Sequence, residues 1–513
     1  MPTAAEYEYL VRFSEPAAPS TWYYIGHTTG RSTSSGDTPA STYVPPSLGS
    51  PPGFSLRLFD GVDPVLNPRG SIGSVLLTDP TGVLDTYCTS KVTDGGILEL
   101  RRAARTDPPA NLSTFSTIAT FATAGVRYGH NTKEFRLHNL GRILESSLLH
   151  DNRYSGEGGA GGDAQLKGQI RPYGIGPVFN ITPKLVNATE KIYQLSDSAI
   201  WAIAAVKEGG SALGYGTDRA NYAAMAASAP AAGVYDSCFA EGYIRLGSSP
   251  TLPITVDFTG DTEPSVPYLL RGNIAKRIVT RSGTVLTSGQ VDSTALSALN
   301  TAKSEDCGFY WDKEITKAAA LTEVMQSILG YWYVNLSGSL ILGYMTAPGA
   351  SPDVTYAFPD VVGEPQMIEG VRPPRWKTSV AYQRNYTIMD RSKVPSVTDA
   401  VAQLLAEDAL WESDADGTVY SANPTSYEKR VFAGFDNSTD AAAEAVLQQA
   451  IFEDPPELWQ VQIRTDPFTL AGYLGRPIGI SGYTRYSWSN PRVFRLVGVD
   501  WGADLIPTAI LWG

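Results

Sequence analysis

The spacing of hydrophobic residues predicts both strands and helices along this chain. In "FSLRLFDG" (54–61) apolar and polar residues alternate strictly, which is typical of a half-buried strand. In "TKAAALTEVMQSILG" (316–330) apolar residues recur at three- and four-residue steps from Leu321 to Ile328, which predicts a helix. Gly330 follows these residues directly, at the position where a glycine C-cap is common. We therefore expect a helix that is capped by Gly330 and leads straight into the next segment.

That next segment, "YWYVNLSGSLILGYM" (331–345), predicts a β-hairpin with its turn at Ser337-Gly338. An antiparallel hairpin usually keeps one polar face, whereas here both faces are apolar. We expect the helix to cover one face and another domain or subunit to cover the other, the alternative being an isolated small α+β core. We prefer a role in assembly, and the candidate interface residues are Tyr331, Trp332, Tyr333, Leu340, Leu342, Tyr344 and Trp512.

Strand-like runs dominate residues 1–153. "YEYLVRF" (7–13) and "WYYIGHT" (22–28) predict two strands around a Pro/Ala/Ser loop, and "GGILELRRA" (95–103) predicts another. The segment 30–53 is rich in turn formers and poor in large apolar side chains, so it predicts a long loop. This part of the chain therefore resembles a twisted β domain.

The last third of the chain mixes helices and strands. "TDAVAQLLAEDALW" predicts a helix with Thr398 as its N-cap, and "STDAAAEAVLQQAIF" predicts a second helix, capped by Ser438 or Thr439. Strands are predicted in "KTSVAYQRNYTIM", "LWQVQIRT", "RVFRLVGVDW" and "IPTAILWG".

Length and loop composition divide the chain into several domains, because 513 residues are too many for one hydrophobic core. Gly/Pro-rich segments at 154–165 and 346–370 are interpreted as a flexible break and a link. The predicted domains are an N-terminal β domain (1–153), a β-rich domain with a short Ala-rich helix (166–262), a small α+β helix–hairpin domain (263–345) and a C-terminal α+β domain ending in a sheet (371–513). The expected fold class is mainly β with α+β insertions, in a multidomain chain with barrel- or sandwich-like β domains.

Composition agrees with this class and excludes some functions. Charged residues make up 18% of the chain, whereas Gly (49), Pro (35) and Tyr (27) are plentiful, which favours turns and strands over long helices. The net charge of −12 and the lack of a basic run argue against a protein that neutralises DNA phosphates. The N-terminal residues show no signal peptide, and no apolar run is long enough to span a membrane, so we expect a soluble chain.

Candidate chemistry is sparse. Cys88, Cys238 and Cys307 lie far apart and are expected to be buried free thiols, since zinc and iron–sulfur sites need paired spacings. The sequence has no P-loop, no H-E-x-x-H and no G-x-S-x-G. "GEGGAG" (156–161) fits the dinucleotide-binding pattern by letter, but polar residues flank it where a strand and a helix are required, so we interpret it as a loop.

The remaining polar candidates are equally weak. The four histidines, at positions 27, 130, 138 and 150, lack ligand spacing, and the acid pairs Asp414/Asp416 and Glu453/Asp454 lie in polar segments. We therefore predict no enzyme, no cofactor site and no metal site.

Several segments, in order, resemble tail-tip and baseplate hub proteins of tailed bacteriophages and gene-transfer-agent-like particles. The helix and hairpin "ALTEVMQSILGYWYVNLSGSLILGYM" is similar to a module of these proteins. The other similar segments are "GSVLLTDPTGVLDTYCTSKVTDGGILELRR", "LKGQIRPYGIGPVFNITPKLVNATEKIYQLSDSAI", "SVAYQRNYTIM" and the closing "YLGRPIGI" and "FRLVGVDWGADLIPTAILWG". Together they cover most of the chain from about residue 70 onward, whereas residues 1–70 resemble the family less clearly.

The resemblance implies a structural virion protein, made in the bacterial cytoplasm and located at the tail tip. It implies a homotrimer that joins the distal tail protein to fibre or spike proteins, holds the C-terminus of the tape-measure protein and gates genome ejection. Some hubs carry an iron–sulfur cluster on clustered cysteines, which this sequence lacks, so no such cofactor is expected. We hypothesise that the acidic balance lets DNA pass through the lumen without specific binding.

Three other functions stay open at this stage. The chain could be a distal-tail ring protein, which is expected to be hexameric, or a receptor protein that binds carbohydrate through its surface aromatics. A tail-associated cell-wall hydrolase is less favoured, because no nucleophile or acid pair lies in a recognisable motif.

Overall fold

The computed structural model describes residues 7–16, 18–35, 40–61, 65–90, 94–105, 111–263, 266–281, 286–369, 372–483, 488, 490–502 and 506–513. Within these residues strands outnumber helices and form several separate sheets, so the predicted class, mainly β with α+β insertions, is confirmed.

The N-terminal region folds around an antiparallel six-stranded sheet. Its strands and helices are β1 (Tyr7–Glu15), β2 (Ala18–His27), β3 (Arg31–Ser32), β4 (Tyr43–Val44), β5 (Phe54–Asp60), β6 (Val65–Ile72), β7 (Val75–Thr78), α1 (Val83–Ser90), β8 (Asp94–Ala104), β9 (Ser116–Tyr128), β10 (Thr132–His138) and α2 (Gly141–Ser146). The sheet order is β2-β1-β8-β9-β10-β7. In β1, Leu10, Val11 and Phe13 are fully buried, which is why the apolar run "YEYLVRF" forms a central strand.

The second region contains two five-stranded sheets followed by helices. Its elements are β11 (Tyr173–Ile181), β12 (Lys184–Asn187), β13 (Ile192–Gln194), β14 (Ala202–Glu208), β15 (Ser211–Ala212), β16 (Gly214–Asp218), α3 (Tyr222–Ala227), β17 (Val234–Cys238), β18 (Tyr243–Leu246), β19 (Ile254–Gly260), β20 (Thr262–Glu263), β21 (Val266–Pro267), α4 (Arg271–Thr280), α5 (Ser293–Ala302) and β22 (Phe309–Trp311). The sheet orders are β15-β14-β19-β11-β22 and β12-β13-β18-β17-β16. The predicted break at 154–165 is a compact loop, closed by the Gly156 N–H donating to the Gly161 carbonyl at 2.9 Å.

The last region begins with the helix–hairpin unit. Its elements are α6 (Lys317–Gln326), β23 (Gly330–Val334), β24 (Leu340–Tyr344), β25 (Val354–Tyr356), β26 (Val361–Glu369), β27 (Arg375–Tyr382), α7 (Asp399–Ala406), β28 (Leu410–Ala415), α8 (Gly417–Ala422), β29 (Tyr427–Phe435), α9 (Ser438–Phe452), β30 (Leu458–Ile463), α10 (Pro467–Ala471), β31 (Pro477–Ile480), β32 (Arg492–Trp501) and β33 (Thr508–Trp512). Short 3₁₀ turns lie at Leu112–Thr114, Gly159–Gly161, Ala164–Leu166, Ser288–Gln290 and Arg391–Lys393.

The largest sheet joins the two ends of the chain. It runs β25-β31-β32-β33-β30-β26, and β32 also pairs with β5, which pairs in turn with β6. The strands β5 and β6 of the predicted N-terminal domain therefore lie in the sheet of the C-terminal domain. The predicted domain boundaries stay predictions, but the first and last domains share this sheet and one hydrophobic core.

A separate three-stranded sheet, β28-β27-β29, packs against α9. This small unit of strands and helix spans 375–452 and includes α7 and α8. Thr398 caps α7 as predicted, by accepting a hydrogen bond from the Val401 N–H.

Three local predictions are wrong. The helix α6 ends at Gln326, and Gly330 opens β23 instead of capping, because Leu329 at φ +51° makes the left-handed turn. Asn437, rather than Ser438 or Thr439, caps α9 through the Asp440 N–H. The segment 346–370, predicted as a link, contains β25 and β26.

Candidate assembly surface

The helix–hairpin unit is buried inside the chain on both faces. On the side of α6, the Trp332 Nε1–H donates to Thr322 Oγ1 at 3.2 Å. On the side of the large sheet, the Tyr333 hydroxyl donates to the Leu474 carbonyl at 3.3 Å, and β23 also contacts β5 and β6. Burial raises the pKa of Tyr333, which keeps this phenol neutral. The apolar faces of the hairpin are therefore covered by a helix and by other domains of the same chain.

The predicted interface residues share this burial. Relative exposure is 8% for Tyr331, 4% for Trp332, 8% for Tyr333, 0% for Leu340, 2% for Leu342 and 1% for Trp512, while Tyr344 is half-buried. These side chains offer little surface to a second chain in this conformation. Their contact with other copies stays a prediction, and the exposed apolar surface lies elsewhere.

The most unusual exposed surface is on α9. Its outward face carries Ala443, Val446, Leu447 and Ala450, at the i, i+3, i+4 and i+7 spacing of a helical stripe. Val446 is 52% exposed and Leu447 is 53% exposed. We call these four residues the α9 stripe.

The inward face of α9 is mixed: it buries Ala441, Ala445 and Phe452 in the core, together with the polar side chains of Glu444, Gln448 and Gln449. Glu444 is buried and forms an ion pair with the buried Lys303, with 2.6 Å between Oε2 and Nζ. Gln448 donates to Glu444 Oε1 at 2.8 Å and to the Ser327 carbonyl at 3.1 Å. The ion pair of Glu444 and the two hydrogen bonds from the Gln448 amide hold the helix in this orientation, so the apolar stripe faces outward.

A second exposed apolar surface lies on β26, an outer strand of the large sheet. Met367 is 45% exposed and Ile368 is 47% exposed. The register with β30 shifts between Met367 and Glu369, so the exposed Ile368 lies at an irregularity of the strand. We call residues 363–368 the β26 edge. Exposed apolar side chains on an outer strand, such as Met367 and Ile368, are often covered in an assembly, because they otherwise promote aggregation.

A buried ionic network lies within the second region, at the C-terminal end of α4. Arg277 Nε is 2.7 Å from Asp261 Oδ2, which also accepts a 2.6 Å hydrogen bond from the Tyr173 hydroxyl. Arg281 forms an ion pair with Asp197. The side chains of both aspartates are 1% exposed, so a substrate has no access to them and the network is structural.

The other candidate residues are scattered. His27 and His150 are buried, His130 is exposed and His138 is half-buried. Cys88, Cys238 and Cys307 are free and buried, as expected. Asp416 caps α8 by accepting the Thr418 N–H at 2.7 Å, whereas Asp414 lies on β28, and Glu453 and Asp454 are exposed.

Within the described ranges, no three His, Cys, Asp or Glu residues are grouped so that they could hold a metal ion. Among the helices of the described residues, none has the length and apolar character required to cross a bilayer.

No protein-family model matches the chain, and no curated protein matches it. Several solved structures are similar to it at low identity. The 43 kDa tail protein of prophage MuSo2 from Shewanella oneidensis aligns with a TM-score of 0.37 and 7% identity, over 98% of this chain and 97% of that one. The tail protein from Neisseria meningitidis MC58 aligns with a TM-score of 0.36 and 10% identity, over 99% of this chain and 95% of that one.

The third structure is the virion of a native gene transfer agent, with a TM-score of 0.38 and 10% identity, over 67% of this chain and 84% of that one. The first two structures are named as tail proteins and the third as a virion.

Proposed function

We propose that this chain is a structural hub protein at the tail tip or baseplate of a tailed bacteriophage or a related particle. The observation that carries the proposal is the α9 stripe, an exposed apolar surface on a helix that also buries the polar side chains of Glu444, Gln448 and Gln449. The sequence resemblance to hub proteins gives this surface its context.

The exposed side chains of the stripe favour contact with another protein. Complete burial of a Val or Leu side chain contributes about 1.5–3 kcal/mol, so Val446 and Leu447, each about half exposed, would contribute roughly 1 kcal/mol apiece. In a single chain these two apolar side chains remain in contact with water. In an assembly the same arrangement stabilises the contact.

The hub is proposed to be a homotrimer. A ring with threefold symmetry needs two different surfaces on each copy, because its contacts are heterologous. The α9 stripe and the β26 edge are two such surfaces, and we assign them to neighbouring copies. The partners are then the distal tail protein above, fibre or spike proteins below, and the tape-measure C-terminus, with DNA passing through the lumen without specific binding.

Electron microscopy of particles from a strain that produces this protein tests the location. Gold-labelled antibodies against the chain are expected at the end of the tail opposite the head, and a Leu447→Glu variant is expected to yield fewer labelled tails. An exposed Leu185→Glu variant is the matched control, since Leu185 is 40% exposed and lies outside both surfaces. Label on the head, or sixfold symmetry of the labelled ring, would contradict the hub proposal, and the sixfold result would favour a distal-tail ring protein.

A further inference from the structure

A cationic cavity lies between β29, β22 and the end of α6. Its volume is about 280 Å³, and four cationic side chains line it: Arg375, Arg384, Lys429 and Arg430. One carboxylate, Glu323, lines it as well and is already paired with Arg384 at 2.6 Å. In a chain with a net charge of −12 this local excess of positive charge is unusual.

Two polar groups of the lining lack partners among the described residues. Lys429 is half-buried and forms no ion pair there. Gln448 is fully buried, its amide nitrogen is used twice, and its Oε1 accepts no hydrogen bond from any described residue. The cavity therefore offers a cation for an acidic group and a buried acceptor for an N–H donor.

One wall of the cavity is a strand edge. Six consecutive residues, 429–434, line it, and β29 is an outer strand of its three-stranded sheet. Beyond the cavity the chain itself occupies the same edge, because the Gly308 N–H donates to the Gly434 carbonyl at 2.8 Å and Cys307 bridges antiparallel to Phe435. The segment at 307–308 thus shows how an extended segment sits on this edge.

We propose that the cavity binds a short extended acidic segment of a partner protein, which adds as a strand to the outer edge of β29. Addition of a strand supplies backbone hydrogen bonds, and alternate side chains point to opposite sides. Acidic side chains on one side would meet Lys429, and apolar side chains on the other would meet Phe432, because odd and even residues of β29 face opposite sides. The cavity can take such a segment whether or not the chain forms a trimer.

Fluorescence anisotropy with a labelled hexapeptide of alternating glutamate and valine tests this site on the full chain. Saturable binding is expected, and Lys429→Glu is expected to weaken it about tenfold, because an attractive contact becomes repulsive. Lys313→Glu is the matched control: it makes the same charge change at an exposed lysine outside the cavity lining, and it is expected to leave binding unchanged.

A second peptide keeps the test independent of protein folding. The same hexapeptide with an N-methyl group on every backbone amide keeps its charge but has no N–H donor on either edge, so its binding is expected to be lost. Equal binding of the methylated peptide, equal weakening by both lysine variants, or full competition by inorganic phosphate would overturn the proposal. Binding of a lysine–valine hexapeptide with the same affinity, or self-association of the chain that blocks the glutamate peptide, would overturn it as well.

Discussion

The buried ion pair between Lys303 and Glu444 anchors α9, and its removal has a predictable cost. Both side chains are 4% exposed, and the two charged atoms are 2.6 Å apart. Lys303→Met leaves the Glu444 carboxylate buried without its cation, which is expected to destabilise the local fold by about 3–5 kcal/mol. The double variant Lys303→Met/Glu444→Leu removes both charges and fills the space with apolar atoms, so it is expected to be near neutral or more stable than the native chain.

Hydrogen exchange of the α9 amides measures the change in local stability directly, because it detects local opening of the helix without unfolding of the whole chain. A loss of about 3 kcal/mol in the free energy of local opening should speed the exchange of protected α9 amides by roughly a hundredfold in the single variant. Each 1.4 kcal/mol corresponds to a tenfold change in the opening equilibrium. Protection should return in the double variant. Lys313→Met, at an exposed lysine, is the control and should change nothing. Unchanged exchange in the single variant, or exchange in the double variant as fast as in the single one, would refute the reasoning.

Two further predictions concern pH and the core. His27 is buried and its Nδ1 accepts the N–H groups of Thr29 and Gly30, each at 3.0 Å, and burial is the main cause that lowers its pKa to about 4. Because the unfolded pKa is about 6.5, the unfolded chain binds more protons between these values, so stability should fall by about 3 kcal/mol as the pH drops from 6.5 to 4. Thermal unfolding across this range should show a shallower pH dependence for His27→Gln, and identical profiles would contradict the prediction. Leu340 is 0% exposed, so Leu340→Ala should lower the free energy of unfolding, measured in urea, by about 2–5 kcal/mol. Leu185 is 40% exposed, so Leu185→Ala should lower it much less. Equal losses in the two variants would show that the hairpin is not part of the core.

Local patterns in the sequence predicted the elements well where neighbours along the chain decide the structure. The helix and hairpin at 316–345 form as predicted, because the helical spacing and the Ser337-Gly338 turn are local signals. The helix end was mispredicted because Leu329, not Gly330, adopts the left-handed conformation. The strand β26 was missed because an outer strand tolerates Gly363 and Pro365, residues that otherwise signal a loop.

Contacts between residues far apart in the sequence determine which faces are buried, and local sequence patterns did not predict these contacts. The sequence of α9 shows both polar and apolar positions, but the choice of buried face depends on Lys303, a residue 141 positions away from Glu444. The apolar hairpin suggested an interface, yet β5 and β6, from a distant part of the chain, contact it. Such partners are set by the fold, so the position of the exposed surface could not be predicted from local spacing.

The mass of the purified full-length chain in solution tests the central claim most directly. At micromolar concentration, light scattering during size-exclusion chromatography should give the mass of three 55.1 kDa copies. Leu447→Glu should give a single copy with an unchanged circular dichroism spectrum, because the substitution lies on the exposed α9 stripe. A native chain that remains a single folded copy, or a Leu447→Glu variant that remains fully trimeric, would contradict assembly through this surface.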